Sequence, residues 1–235
     1  MSERRITVSP LAVLILVVAV IGGILFLISL FNQPPTTKEI LAKQKVAIIG
    51  DSLTEQNGNG VSNLEAMFEK AGFNAQNLYI YGVDGKKIAA PDKYETTTMQ
   101  NIEQARKKLR HPNVWLVALG TNDRARDSEN VTADIKAVMK EIGKDKVLWV
   151  NTSSRDQSYK DSARVNTVMK DTLKDYPNAK YLDWDSYIHM AGSKSDWKPL
   201  TDNTDPIHMT DEGYIIRNAF YMYRIAAAVD KTITQ

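Results

Sequence analysis

The sequence predicts an α/β protein: a three-layer α/β/α sandwich with a mostly parallel five-stranded sheet, preceded by one transmembrane helix. Three observations predict it. From Lys45 onward, short β-branched or aromatic runs alternate with longer stretches carrying apolar residues at helical spacing. One run, Val114-Trp115-Leu116-Val117-Ala118-Leu119, is apolar on both faces, as in a central strand covered by helices on each side. Residues 11–31 form an uncharged apolar run that at about 1.5 Å per residue spans roughly 30 Å of hydrocarbon.

The elements follow in order. Arg4 and Arg5 precede the apolar run, so the positive-inside rule leaves residues 1–10 as a short cytoplasmic segment and sends the rest outward. A cleaved signal peptide has a shorter apolar region ending in a small-x-small site. Ile28-Ser29-Leu30-Phe31-Asn32 offers none, so residues 11–31 read as an uncleaved signal anchor. Residues 32–44, with paired prolines at Pro34 and Pro35, read as a semi-rigid linker. Residues 45–235 then form one domain. Its strands are expected at 46–49, 78–81, 114–119, 147–150 and 181–184, and its helices at 61–71, 99–109, 131–142, 162–176 and 212–229. Crossovers of this length imply parallel strands with helices on both faces.

Composition removes several function classes. The chain has 235 residues and no Cys, which excludes a disulfide scaffold, a thiolate zinc site, an iron-sulfur cluster and a cysteine nucleophile. A formal net charge of +2 leaves no overall field to attract nucleic acid. The histidines are too scattered to suggest a metal site, and nothing in the sequence calls for a cofactor.

Ligands of open parallel sheets bind in loops beyond the carboxyl ends of the strands, and polar clusters occur at those places. The first strand runs into Gly50-Asp51-Ser52, the third into Gly120-Thr121-Asn122-Asp123, and Asp205-Pro206-Ile207-His208 precedes the last helix. A serine acts as an acyl nucleophile only if a base takes its proton, and histidine is the usual base near neutral pH. Of the 3 His, His111 lies at the opposite edge of the sheet and reads as a surface residue. His189 reads as a packing or surface residue. His208 has Asp205 three positions before it, a spacing that lets a carboxylate hold the imidazole while its other nitrogen faces a serine. Singly, each signal has an ordinary reading: Ser52 as a helix cap, Asn122 as a turn residue, Asp123 as an N-cap. Their conjunction at adjacent strand ends points to acyl transfer through a serine ester.

These three clusters resemble blocks I, III and V of the SGNH (GDSL-type) hydrolase family, in the family's order, over about residues 45–229. The resemblance implies a flavodoxin-like fold with Ser52 as nucleophile, His208 as base and Asp205 as its orienter. It also implies an oxyanion hole from the Ser52 N–H, a block II glycine N–H and the Asn122 side chain. Two glycines follow the second strand; Gly85 is favoured over Gly82 because the family's glycine usually follows a short loop. Asp51 and Gly120 are expected to support the loops rather than react. If His208 is the base, activity should rise through roughly pH 6 to 7.

Two acceptors fit this chemistry. The first reading is an extracytoplasmic esterase that hydrolyses short acyl esters. The second is an O-acyltransferase that acylates cell-envelope glycan hydroxyls, working with a membrane acyl-donor protein. The anchored topology resembles extracytoplasmic O-acetylating members of the family, as do Val165-Asn166 after Arg155-Asp156 and Leu182-Asp183-Trp184. The Asp123 of Gly-Thr-Asn-Asp keeps the hydrolase form. A third reading, a silent module that binds envelope carbohydrate, predicts loss of a catalytic residue, yet Ser52, Asn122, Asp205 and His208 are all present. Tyr159, Tyr187 and Trp197 lie where they could stack on sugar, with core packing as the alternative. The segment 186–204 is expected as a loop that forms a lid or acceptor wall, or a surface insertion.

Overall fold

The computed structural model describes residues 36–60, 63–153, 160–190, 200–201 and 207–233. Five strands, β1 (Val46–Gly50), β2 (Leu78–Gly82), β3 (Val114–Ala118), β4 (Lys146–Val150) and β5 (Ala179–Leu182), form one sheet in the order β2-β1-β3-β4-β5. All four pairings are parallel, and Val46 is in register with both Leu78 and Val114. The helices are α1 (Thr37–Ala42), before β1; α2 (Ser52–Gln56), α3 (Leu64–Ala71), α4 (Thr98–Leu109), α5 (Ser128–Ile142) and α6 (Lys160–Leu173), which supply the crossovers; and α7 (Trp184–Met190) and α8 (Asp211–Val229), after β5.

Strand alternation divides the core into two halves. On β1, Val46 and Ile48 face a cluster with Phe68 of α3, Ile188 of α7 and Phe220 and Ile225 of α8. Ala47 and Ile49 face the other side, against Ile102 of α4, Ile135 and Val138 of α5 and Met169 of α6. Every residue of β1 and of β3 is buried, as a central strand between two helix layers requires. Helix ends are fixed by side chains: Thr97 and Gln100 make a reciprocal capping box for α4, and Asp127 and Thr210 cap α5 and α8.

The expected fold class holds for the sheet and its two helix layers. The fifth strand lies two residues earlier than expected, because Asp183 ends it and caps the following turn: Ser186 N donates to Asp183 Oδ1 at 2.9 Å. Trp184 therefore opens α7, and the first part of the expected 186–204 loop is helical. Residues 191–199, including Trp197, lie outside the described residues, as does Tyr159. Tyr187 packs with Trp184 and Phe220, at ring separations of 5.8 and 4.8 Å, so it belongs to the core rather than to a sugar platform. Helix α1 falls in the stretch expected as linker. Its Leu41 joins the core and its Thr37 Oγ1 donates to Asp230 Oδ2 at 2.8 Å, so the folded unit starts at Thr37. Among the described residues, no helix is long and apolar enough to cross a membrane. The expected anchor at 11–31 lies outside them.

Candidate active site

In the strand order 2-1-3-4-5 the chain reverses direction across the sheet between β1 and β3, the switch point past whose carboxyl strand ends such sheets hold their ligand crevice. The Gly50-Asp51-Ser52 and Gly120-Thr121-Asn122-Asp123 clusters leave the sheet there. Ser52, nearly buried, is the first residue of α2.

Close approach makes this entry possible. A Cβ on Gly50 would lie 2.0 Å from Thr54 Oγ1, and one on Gly82 would lie 2.3 Å from the Glu55 N of α2. Gly82 is thus a packing glycine under α2. Asp51, not Ser52, caps the helix: its Oδ1 accepts from Leu53 N at 3.1 Å, and its carbonyl accepts from Thr54 N and Glu55 N at 2.9 Å. The Ser52 N–H has no acceptor among the described residues, and it sits at the positive end of a helical turn.

A buried polar layer supports this turn from α8. Arg217 donates to Leu53 O at 2.9 Å and to Thr54 Oγ1 at 3.2 Å, with its guanidinium 4.4 Å from the Tyr221 ring centre. Tyr214 OH donates to Gln56 Oε1, and Asn218 Nδ2 donates to Asn57 O. Burial pushes the Asp51 carboxyl above its ordinary value, against the pull of Arg217 and of hydrogen bonds from Leu53 N and Thr121. Burial likewise raises Tyr221.

Across the crevice, the loop after β2 turns at Val83–Lys86, where Lys86 N donates to Val83 O at 3.1 Å. Gly85, the third residue of this turn, has φ +72°, a left-handed geometry that favours glycine. Asn122 lies in the 3-10 turn Thr121–Asp123, and its Nδ2 donates to Lys86 O at 3.0 Å. The glycine loop and Asn122 are therefore neighbours. Gly120 has φ +134°, which side chains rarely adopt, and a Cβ there would displace the Met169 methyl, 2.0 Å away. Asp123 caps no helix among the described residues. It is fully buried, accepts from Ile88 N at 3.1 Å, and burial pushes it up to about 6 against Ile88 N and Arg126.

His208 is half-buried at the threshold of α8. Its segment is fixed by the Thr201–Met209 bridge and by Gly213, where a Cβ would lie 2.2 Å from Leu200 O. Asp205 lies outside the described residues. His189 belongs to α7, and His111 is exposed before β3, at the far edge of the sheet. Among the described residues, no three His, Asp or Glu side chains come together as a metal-ion site. Sequence reasoning missed Arg217 and Lys86, since burial of a cation leaves no mark in the residue pattern.

A doubly wound parallel sheet with a nearly buried serine at one side of its crevice, and glycine and asparagine loops at the other, defines a class of α/β hydrolytic fold. Residues 48–216 match the model of the GDSL-like lipase/acylhydrolase family, and the chain belongs to that family. No curated protein sequence matches the chain. Solved structures share the fold at low identity. A lipase/acylhydrolase from Enterococcus faecalis is 15% identical, with a TM-score of 0.60 over 82% of this chain and 99% of its own. An acetylxylan esterase from Geobacillus stearothermophilus is 14% identical, with a TM-score of 0.55 over 78% and 94%. The C-terminal catalytic domain of peptidoglycan O-acetyltransferase A from Streptococcus pneumoniae is 18% identical, with a TM-score of 0.52 over 81% and 94%.

Proposed function

We propose that this chain is a serine esterase at the outer side of the cell membrane: anchored by residues 11–31, with its catalytic domain extracytoplasmic, hydrolysing acetyl or other short acyl esters. The observation that carries this reading is the placement of Ser52. Its hydroxyl sits on the first residue of a helix at the switch point, and Asn122 is bonded to the Lys86 carbonyl, next to Gly85, at the neighbouring strand ends. His208 lies just before Thr210, the N-cap of α8, whose Tyr214 and Arg217 bond α2 and whose Asn218 bonds Asn57 at its end. Base and nucleophile thus sit on elements fastened to each other.

In this reading Ser52 Oγ attacks the ester carbonyl carbon while His208 takes its proton, and Asp205 orients the imidazole. The Ser52 N–H, the Gly85 N–H and Asn122 Nδ2 receive the negative charge that develops on the carbonyl oxygen. The carbon–oxygen bond to the leaving alcohol then breaks, and His208 returns the proton to that alcohol. Water, deprotonated by His208, cleaves the acyl-serine in the second half. No cofactor takes part.

The alternative is transfer of the acyl group to a glycan hydroxyl of the cell envelope, with a membrane donor protein supplying it. The likeness to the catalytic domain of a peptidoglycan O-acetyltransferase supports this second reading, and retention of Asp123 in hydrolase form favours the first. An activated acetyl ester, offered with and without envelope oligosaccharides to wild type and Ser52→Ala, separates them. Hydrolysis that requires Ser52 and ignores the sugars is the expected result; accumulation of acetylated sugar makes the chain a transferase. Turnover undiminished in Ser52→Ala contradicts both.

A further inference from the structure

The loop between β2 and α4 buries an ion pair that the acyl chemistry leaves unused. Lys86 Nζ lies 3.0 Å from Asp92 Oδ2, and both side chains are 0% exposed. The same ammonium donates to Thr96 O at 3.0 Å and lies 5.3 Å from the Tyr81 ring centre. Asp92 is bonded on all sides: Oδ2 also accepts from Tyr81 OH at 3.0 Å, and Oδ1 accepts from Tyr94 N at 2.8 Å and Thr96 N at 3.1 Å. Burial pushes Asp92 up, but these donors, Lys86 first, bring its carboxyl below the ordinary range.

The pair lies directly under the Gly85 turn. Gly85 itself is exposed, and a Cβ built there would touch nothing within 4 Å. The turn is tied to the Ser52 side by Val83 N, which donates to Gly50 O at 3.4 Å, and by Asp84 N, which donates to Glu55 Oε2 at 2.7 Å, and its far end is held by Lys86. Lys86 N donates to Val83 O, its side chain reaches down to Asp92 and Thr96, and its carbonyl accepts from Asn122 Nδ2. Two residues on, Ile88 N donates to Asp123 Oδ2. An isolated lysine is costly to bury, and apolar side chains of similar volume often stabilise as well as a buried ion pair does. The loop is anchored in the core at Val83 and Ile88, and the pair holds the exposed step between them.

We propose that Lys86 and Asp92 are positioning residues for the oxyanion hole: the pair locks the Gly85-Lys86 peptide, and through the Lys86 carbonyl it aims the Asn122 amide into the crevice. The inference rests on the acyl-transfer reading of Ser52. Oxyanion donors lower a barrier only if they are already in place when charge develops, so loosening this pair slows the chemical step more than it weakens substrate binding.

The test compares the full chain in detergent with Lys86→Met, with Asp92→Asn, which keeps an oxygen for Tyr94 N and Thr96 N, and with Asn122→Ala. Selective ¹⁵N-asparagine labelling reports the Asn122 side-chain amide, identified by its absence from Asn122→Ala. Both ion-pair variants are expected to shift or broaden that resonance while the other asparagine signals stay in place. The kcat on an activated acetyl ester is expected to fall about 10- to 100-fold, with KM changed less than about threefold. In the Asn122→Ala background Lys86→Met is expected to cost much less, because the group it aims is gone. An unchanged Asn122 resonance in folded Asp92→Asn overturns the inference, and so does full additivity of Lys86→Met with Asn122→Ala. If wild type shows no Ser52-dependent turnover, the acyl-transfer reading falls, and the Asn122 resonance alone decides whether the pair aims that amide.

Discussion

The two sides of the crevice hold buried charge by opposite means. On the Ser52 side, Arg217 bonds to Leu53 O and Thr54 Oγ1 and rests on Tyr221, while the Asp51 carboxyl at the N-cap of α2 has no bonded cation among the described residues. Burial prevails there and raises Asp51. On the glycine-loop side, Asp92 has a directly bonded cation and three further donors, and these prevail over burial and lower it. Asp92, held by a bonded cation and three further donors, stays ionised, whereas Asp51, whose cation is at one remove, is drawn toward its neutral form. The first arrangement fixes a loop; the second leaves a proton-sensitive group under the nucleophile.

The largest expected effect on stability breaks the Ser52 side. Arg217→Met strands Leu53 O and removes the cation that restrains Asp51, and urea unfolding should show a loss of about 3 kcal/mol. Adding Asp51→Asn should recover part of it, since the uncompensated acid is then gone. No recovery would mean that Arg217 braces α2 through its hydrogen bonds alone.

The next effect sharpens the contrast through pH. Asp123, fully buried and pushed up to about 6, has a folded value above its unfolded one. As pH rises the unfolded chain ionises first, so this group removes stability between about pH 4 and 6 and then levels off. Asp92 has the reverse sign: its contribution is complete above the unfolded value and is lost as pH falls through the lower folded one. Asp123→Asn should therefore gain on wild type by on the order of 2 kcal/mol between pH 4 and 7. Asp92→Asn should differ most from wild type near neutrality and converge with it in acid. Denaturant midpoints across pH measure both.

The smallest effect concerns the edge of the domain. Thr37→Ala removes the hydrogen bond to Asp230 and should speed amide exchange in α1 while leaving the central strands protected.

Much of this was legible in the sequence. The runs that became β1 to β4 are short, β-branched and bounded by Gly, Asn or Asp, and the helices α4, α5, α6 and α8 show apolar spacing over three or more turns, so their period decides them. The start of α7 was not legible, because Tyr181-Leu182-Asp183-Trp184 reads as a strand until Asp183 is seen accepting from Ser186. Helix α1 has one buried residue, Leu41, too little to give a period. Ser52, Asn122 and Gly120 were marked by their places at strand ends. Arg217 and Lys86 were not, since nothing in a residue string distinguishes a buried cation from the solvated majority. The Gly85–Lys86 step was in view as a loop, but its bond to Asn122 joins residues 36 positions apart.

The account stands or falls on a covalent intermediate at Ser52. The full chain, mixed with an activated acetyl ester and quenched in acid, should show by intact mass one added acetyl group, mapped to the peptide that contains Ser52 and absent from Ser52→Ala. Acylation of another residue, or turnover of the ester with no dependence on Ser52, would contradict it.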